Sequence, residues 1–166
     1  MKPELTLAVQ YGQAAPELPR WRLRRWVRLA VDGIALAMRD ADPLALPDAR
    51  AFERVALTVR LVDAEEGREL NKAYRNHDYA TNVLTFEYGV NPDGTANGDI
   101  VLCVPVLRRE AGDQGKTLLD HAAHLTIHGV LHALGYDHLD ADDALRMETL
   151  ETRLLRRIGI ADPYAG

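Results

Sequence analysis

TLLDHAAHLTIHGVLHALGYDH, residues 117 to 138, sets a strongly apolar helical pattern directly ahead of a glycine turn. Thr117 with Asp120 three residues later is a capping-box pattern and Gly135 is a stop signal, so a helix is expected over roughly Leu118 to Leu134. It is apolar on most sides, which places it inside a core. Within it, His128 and His132 stand four residues apart and leave the same face about one turn, roughly 5 to 6 Å, from each other. After Gly135 the chain can turn back and deliver His138. Two imidazoles from a helix and a third from a turn make a three-nitrogen set with one tetrahedral position open, the arrangement of a catalytic rather than a closed structural zinc site. One Zn2+ ion on His128, His132 and His138 is therefore expected, on a core helix and the turn after it.

His121 and His124 lie on nearly the same helical face and raise the question of which histidines share the ion. His124 and His132 are eight residues apart, about 12 Å along the axis. Metal to nitrogen bonds of about 2.0 to 2.1 Å cannot gather ligands over that length. Only the pair His128 and His132 has a further histidine just downstream. His121 and His124 are expected at the helix surface or behind the ligands, with His124 also a candidate to touch substrate. The spacing HxxxHxxGxxH occurs in metzincin proteases too, where a glutamate after the first histidine is the general base. That position is Gly129, which can neither abstract nor donate a proton, so a peptidase is demoted.

Working outward, residues 4 to 10 alternate apolar and polar side chains as a first strand does, and Arg54 to Val62 as a second. Between them, past Pro16 and Pro19, Leu23, Trp26, Val27, Ala30, Ile34, Ala37 and Met38 keep helical spacing to about Arg39. Arg20, Arg22, Arg24, Arg25 and Arg28 crowd that helix's first half, either as a solvated face or as an RNA or ribosome contact. The segment ADPLALPDAR, residues 41 to 50, is a loop by its prolines. Asp63 with Glu66 starts a short helix ending near Arg75, a third strand follows at about Val83 to Tyr88, and NPDGTANG is a turn by composition. The run from Gly98 to Val104 suits a central strand, and Pro105 closes it ahead of a short helix through Val106, Leu107 and Ala111. Asp140 and Asp143 begin a last helix through Met147, Leu150, Leu154 and Ile158. The expected fold is α+β, a small mixed four-stranded sheet packed by about five helices, with residues 1 to 166 forming one domain.

Composition narrows the function classes. A formal charge of −5 argues against a protein that coats nucleic acid with its whole surface but leaves room for local phosphate contacts. The lone Cys103 sits in an apolar run, as a core residue of a reducing compartment does. An early Glu4 and the lack of a long apolar run give no signal peptide and no membrane span, so a cytoplasmic protein is expected.

HGVLHALGYDH resembles the signature of the YbeY family of bacterial endoribonucleases, which act in ribosomal RNA maturation. The resemblance extends upstream through LNKAYRNHDYATNVLTFEY and GDIVL and covers most of the chain. It implies that His128, His132 and His138 are zinc ligands, that Arg75 is the active-site arginine, and that the fold is a small mixed sheet with surrounding helices. The family usually reads Arg-x-Lys-Asp-x-Pro-Thr-Asp-Val-Leu-Ser-Phe-Pro; here His77, Ala80 and Asn82 replace its lysine, proline and aspartate. The implied activity is metal-assisted cleavage of single-stranded RNA, with 16S ribosomal RNA or the small ribosomal subunit as partner, no DNA, and a role in ribosome quality control. In it a zinc ion acidifies water and polarises a phosphoryl oxygen, and Arg75 holds the phosphate. Tyr74, Tyr79, Phe86 and Tyr136 are candidates to stack bases, with core packing the expected role of each aromatic taken alone, and Asp137 and Asp99 are candidates either to orient imidazoles or to cap a helix or turn. The rival expectations are a non-catalytic, zinc-containing ribosome-assembly factor and a metal-dependent hydrolase of peptides or small molecules.

Overall fold

The α+β expectation holds. A computed structural model describes residues 2–47 and 51–165, and the last three positions of the proline-marked loop, Asp48 to Arg50, lie outside them. The described elements are β1 (Glu4–Tyr11), α1 (Arg20–Arg39), β2 (Arg54–Val62), α2 (Ala64–Arg75), β3 (Val83–Val90), β4 (Thr95–Cys103), α3 (Val104–Asp113), α4 (Leu118–Ala133) and α5 (Ala141–Arg156). The four strands run in the order β1-β2-β4-β3. β1 and β4 each flank β2 in parallel, which the helical crossovers between them require, and β3 closes the sheet antiparallel to β4.

Burial explains the strand patterns. In β4, Ile100 and Leu102 face one hydrophobic cluster together with residues of α1, α4 and α5, while Val101 and Cys103 face a smaller cluster with Val62, Leu84 and Val106. A strand covered on both faces reads as a continuous apolar run, as this one does. β4 begins earlier than its composition suggests: the turn is confined to Asn91–Gly94, where Gly94 N–H donates to the Asn91 carbonyl, and Thr95 to Asn97 already pair with β2. Polar residues there are held by neighbouring strands, which composition does not reveal.

Helix starts are set locally. The side chains of Asp63, Thr117 and Asp140 each accept from the backbone N–H three residues on, at 2.8, 3.1 and 2.8 Å, each cap being worth about 1 kcal/mol. Of the α1 arginines, Arg20, Arg24 and Arg28 donate to the carbonyls of Val9, Leu5 and Pro3. The three arginines, spaced one helical turn apart, thus lie along β1 and the residue before it. Arg20 and Arg24 remain exposed while making these contacts, and Arg28 is half-buried.

The position of α4 is fixed by small residues. A Cβ on Gly129 would lie 2.8 Å from Ile100 Cγ2, and one on Gly98 would lie 2.9 Å from the Ala133 methyl. Helix and strand touch at two points one helical turn apart. Replacing Gly98 by Ala would also press on the Phe86 carbonyl oxygen at 3.1 Å and Leu57 at 3.3 Å. Gly98→Ala is expected to destabilise the protein by about 1–3 kcal/mol, read as a lower urea midpoint at unchanged m-value.

Candidate metal centre

The imidazoles of His128, His132 and His138 converge. Ring centroids are 4.7 Å apart for His128 and His132, 4.6 Å for His132 and His138, and 5.4 Å for His128 and His138. One nitrogen from each lies within 4.8 Å of the others. His132 Nε2 and His138 Nε2 are 3.3 Å apart, and two nitrogens bound to one tetrahedral ion at about 2.0 to 2.1 Å would be about 3.3 to 3.4 Å apart. The donor set fits a metal ion of zinc's preference. Burial, and then the neighbouring His128 and His138, push the His132 pKa down to about 4, so its ring is neutral near pH 7 and its lone pair is free to coordinate.

The turn that delivers His138 is anchored, not loose. Gly135 has φ +113°, where an L side chain would be strained. Tyr136 follows it into the core: the residue is 2% exposed, its hydroxyl donates to the Leu44 carbonyl at 2.7 Å and its N–H to that of Leu131 at 2.9 Å. Tyr136 therefore cannot stack a base; it pins the turn. Asp137 accepts from the His138 N–H at 2.8 Å, which shapes the same turn, and its carboxylate lies 4.0 Å from His138 Nδ1.

The carboxylate that orients a histidine comes from another element. Glu151 of α5 is fully buried and contacts His128 Nδ1, His124 Nε2 at 3.2 Å and the Tyr164 hydroxyl. With Nδ1 facing this carboxylate, His128 presents Nε2 outward, the arrangement that fixes tautomer and ring orientation in metal-ligating histidines. Burial opposes ionisation of Glu151, but the contacts with His124 and His128 and the Tyr164 hydroxyl hold its pKa at about 2. His124, His128 and Glu151 are themselves close enough to group around an ion, but His124 Nε2 and His128 Nδ1 already serve the carboxylate as hydrogen-bond partners. His124 stands behind His128, next to Tyr164, whose ring meets it edge-on at 5.6 Å.

His121, expected at the surface or behind the ligands, is buried, with Nε2 2.9 Å from Glu110 Oε1, and Asn82 donates to the same carboxylate at 3.0 Å. Asp99 accepts from the Tyr88 hydroxyl at 2.8 Å, and Tyr88, not an imidazole, occupies it. Arg75 ends α2 with its guanidinium exposed and donates once, to the Thr85 carbonyl at 3.2 Å. Thr85 in turn faces Gly129, its methyl 3.4 Å from where a Cβ there would stand, so one residue of β3 separates Arg75 from the helix position next to His128. Tyr74 is exposed and leans edge-on against Phe86 at 5.2 Å; Tyr79 is exposed beside His77.

Glu151 and Tyr164 were not singled out from the sequence. The signal for Glu151 was present: it shares the inward face of α5 with Met147, Leu150 and Leu154, and a charge at a core position needs partners. Tyr164, beyond the last helix, carries no such local sign.

A sequence profile described as Endoribonuclease YbeY matches residues 29–159. A protein of Bordetella avium described as Endoribonuclease YbeY is 62% identical over 163 residues, covering 98% of this chain and 95% of that one. One of Thiobacillus denitrificans with the same description is 49% identical over 165 residues, covering 99% of each. The solution structure of TM1509 from Thermotoga maritima matches with a TM-score of 0.54 at 20% identity, over 97% of this chain and all of that one, a likeness of fold.

Two outcomes follow from the buried carboxylate. Glu151→Gln is expected to weaken zinc binding about 10–100-fold, measured by competition with a chromogenic chelator. The metal-free protein should lose stability as pH falls. The depressed His132 pKa gives stability fully present above about 6.5 and lost toward about 4, and the depressed Glu151 pKa gives stability present above about 4.5 and lost toward about 2. Urea midpoints across that range check both, and Glu151→Gln should flatten the lower portion.

Proposed function

The chain belongs to the YbeY family of endoribonucleases, and we propose that it is a single-domain, zinc-dependent enzyme that cuts single-stranded RNA in the cytoplasm, acting in maturation of 16S ribosomal RNA and in ribosome quality control on the small subunit. The observation that carries this is the convergence of three neutral-capable imidazoles on one point, open to solvent at His138, with an exposed arginine across one strand residue. Among the described residues no helix is long and apolar enough to cross a membrane.

His128, His132 and His138 would hold the ion, which when bound supplies Lewis acidity toward a phosphoryl oxygen. The remaining steps belong to the chain's own side chains. Glu151 keeps the His128 ring turned so that Nε2 faces outward. Arg75 spends one of its five N–H donors on Thr85 and offers the rest to a phosphate, holding it and balancing charge as the phosphodiester is attacked. Tyr74 and Tyr79 present exposed rings on which unpaired bases can stack, which favours single strands, since duplex bases keep their faces hidden. Gly129 faces Ile100 of the sheet, so no general base comes from the position a zinc protease uses. DNA is not an expected substrate.

Arg75→Ala should lower the rate of zinc-dependent cleavage of a single-stranded RNA about 10²–10³-fold while zinc affinity and thermal melting stay unchanged. His132→Ala, purified identically, should lose metal and cleavage together and controls for contaminating ribonuclease. Undiminished cleavage in Arg75→Ala would remove that residue from the mechanism. Cleavage by neither wild type nor variant at saturating zinc, with ribosome binding retained, would point to an assembly factor instead.

A further inference from the structure

β3 is irregular near its end. Glu87 pairs with Gly98 but Gly89 pairs with Asn97, so Tyr88 is an extra residue in the strand. Such a bulge re-aims the side chains around it. The Glu87 carboxylate lies over the turn between His132 and His138, with Oε2 3.2 Å from where a Cβ on Gly135 would stand. Beside it opens a cleft of about 400 Å³, walled by Ile34, Met38, Leu46, Phe52 and Leu134. Among the described residues Glu87 is its sole charged lining residue, and the Glu87 carboxylate makes no hydrogen bond or ion pair. Glu87 is exposed at the cleft, and partial burial, followed by the Asp137 carboxylate, raises its pKa.

A cleft of this size and lining suits a flat apolar ring with a polar edge. In RNA, a carboxylate repels the phosphate but accepts from base N–H groups, so the cleft selects a base rather than the backbone. The bases differ in what they offer. Guanine alone presents two adjacent N–H donors, at N1 and N2, to the two oxygens of one carboxylate. Adenine and cytosine set an acceptor beside their amino donor, and uracil flanks one donor with acceptors. We infer that this cleft is a guanine-recognition subsite, in which Glu87 accepts two hydrogen bonds from the base while the apolar walls hold the ring. The inference rests on RNA being the substrate. Gly135 and Tyr136, in the turn between His132 and His138, also line the cleft, so a base held here sits beside the trio.

The test uses nucleosides, which carry no phosphate for the histidines or Arg75 to bind. The full chain is titrated separately with guanosine, adenosine, cytidine and uridine, and amide shifts of Gly89 and Gly135 are followed by NMR. Guanosine should bind about tenfold more tightly than the other three, and Glu87→Gln should remove that preference, since an amide offers one acceptor and one donor and cannot accept twice. Selective, Glu87-dependent guanosine binding supports the subsite whether or not RNA is cut. Equal affinity for the four nucleosides, selectivity that survives Glu87→Gln, or shifts confined to residues outside the cleft would overturn it. Zinc-dependent cleavage accompanied by any of those results would leave the endoribonuclease reading standing and the subsite rejected.

Discussion

The contact between α4 and β4 is the constraint on which the site depends. Gly129 against Ile100 and Gly98 against Ala133 bring a helix and a strand closer than any larger pair of side chains would allow. That closeness orients the helix, because the face carrying Gly129 and Ala133 must meet the sheet. His128 and His132, one position earlier in each case, then lie at the edge of that contact, where they reach solvent. The same contact turns position 129 toward the strand, so an acidic side chain there would be driven into packed core. The site draws its other polar groups from elsewhere in the fold for this reason.

Glu151 is the first of those groups. Placing an ionised carboxylate at a fully buried position is costly unless its lone pairs are satisfied, and here two imidazoles and a phenol satisfy them. Removing one partner would leave the rest of the charge uncompensated. α5 and the segment after it are therefore bound to α4 by more than the packing of Met147, Leu150 and Leu154. Arg75, the arginine proposed to hold the phosphate, is tied to β3 through the Thr85 carbonyl.

Features that depend on neighbours in sequence were legible before the structure was known. The caps at Asp63, Thr117 and Asp140, the alternation in β2, and the four-residue histidine spacing each follow from local geometry, and the elements form where they are expected. The start of β4 was hidden because Thr95 to Asn97 are strand residues only by virtue of β2 beside them. The roles of Tyr136 and Asp99 were also decided at a distance, by Leu44 and Tyr88. A tyrosine in a metal-site turn can read as core or as a contact for substrate until its hydroxyl is seen to have a partner 92 positions away. The link from Glu151 to His128 spans 23 residues and two helices, with only the misplaced charge on α5 to announce it.

The arginines on α1 bear on how this protein can meet others. Arg20, Arg24 and Arg28 occupy the carbonyls along the outer side of β1, and the bulge at Tyr88 interrupts the other edge, on β3. A partner that joined by lending a strand would have to strip charged donors from one edge or match an irregular register on the other. The sheet is in effect finished at four strands. Recognition of partners must then run through side chains on helices and turns, leaving the main-chain ladder to hold the histidine helix in place.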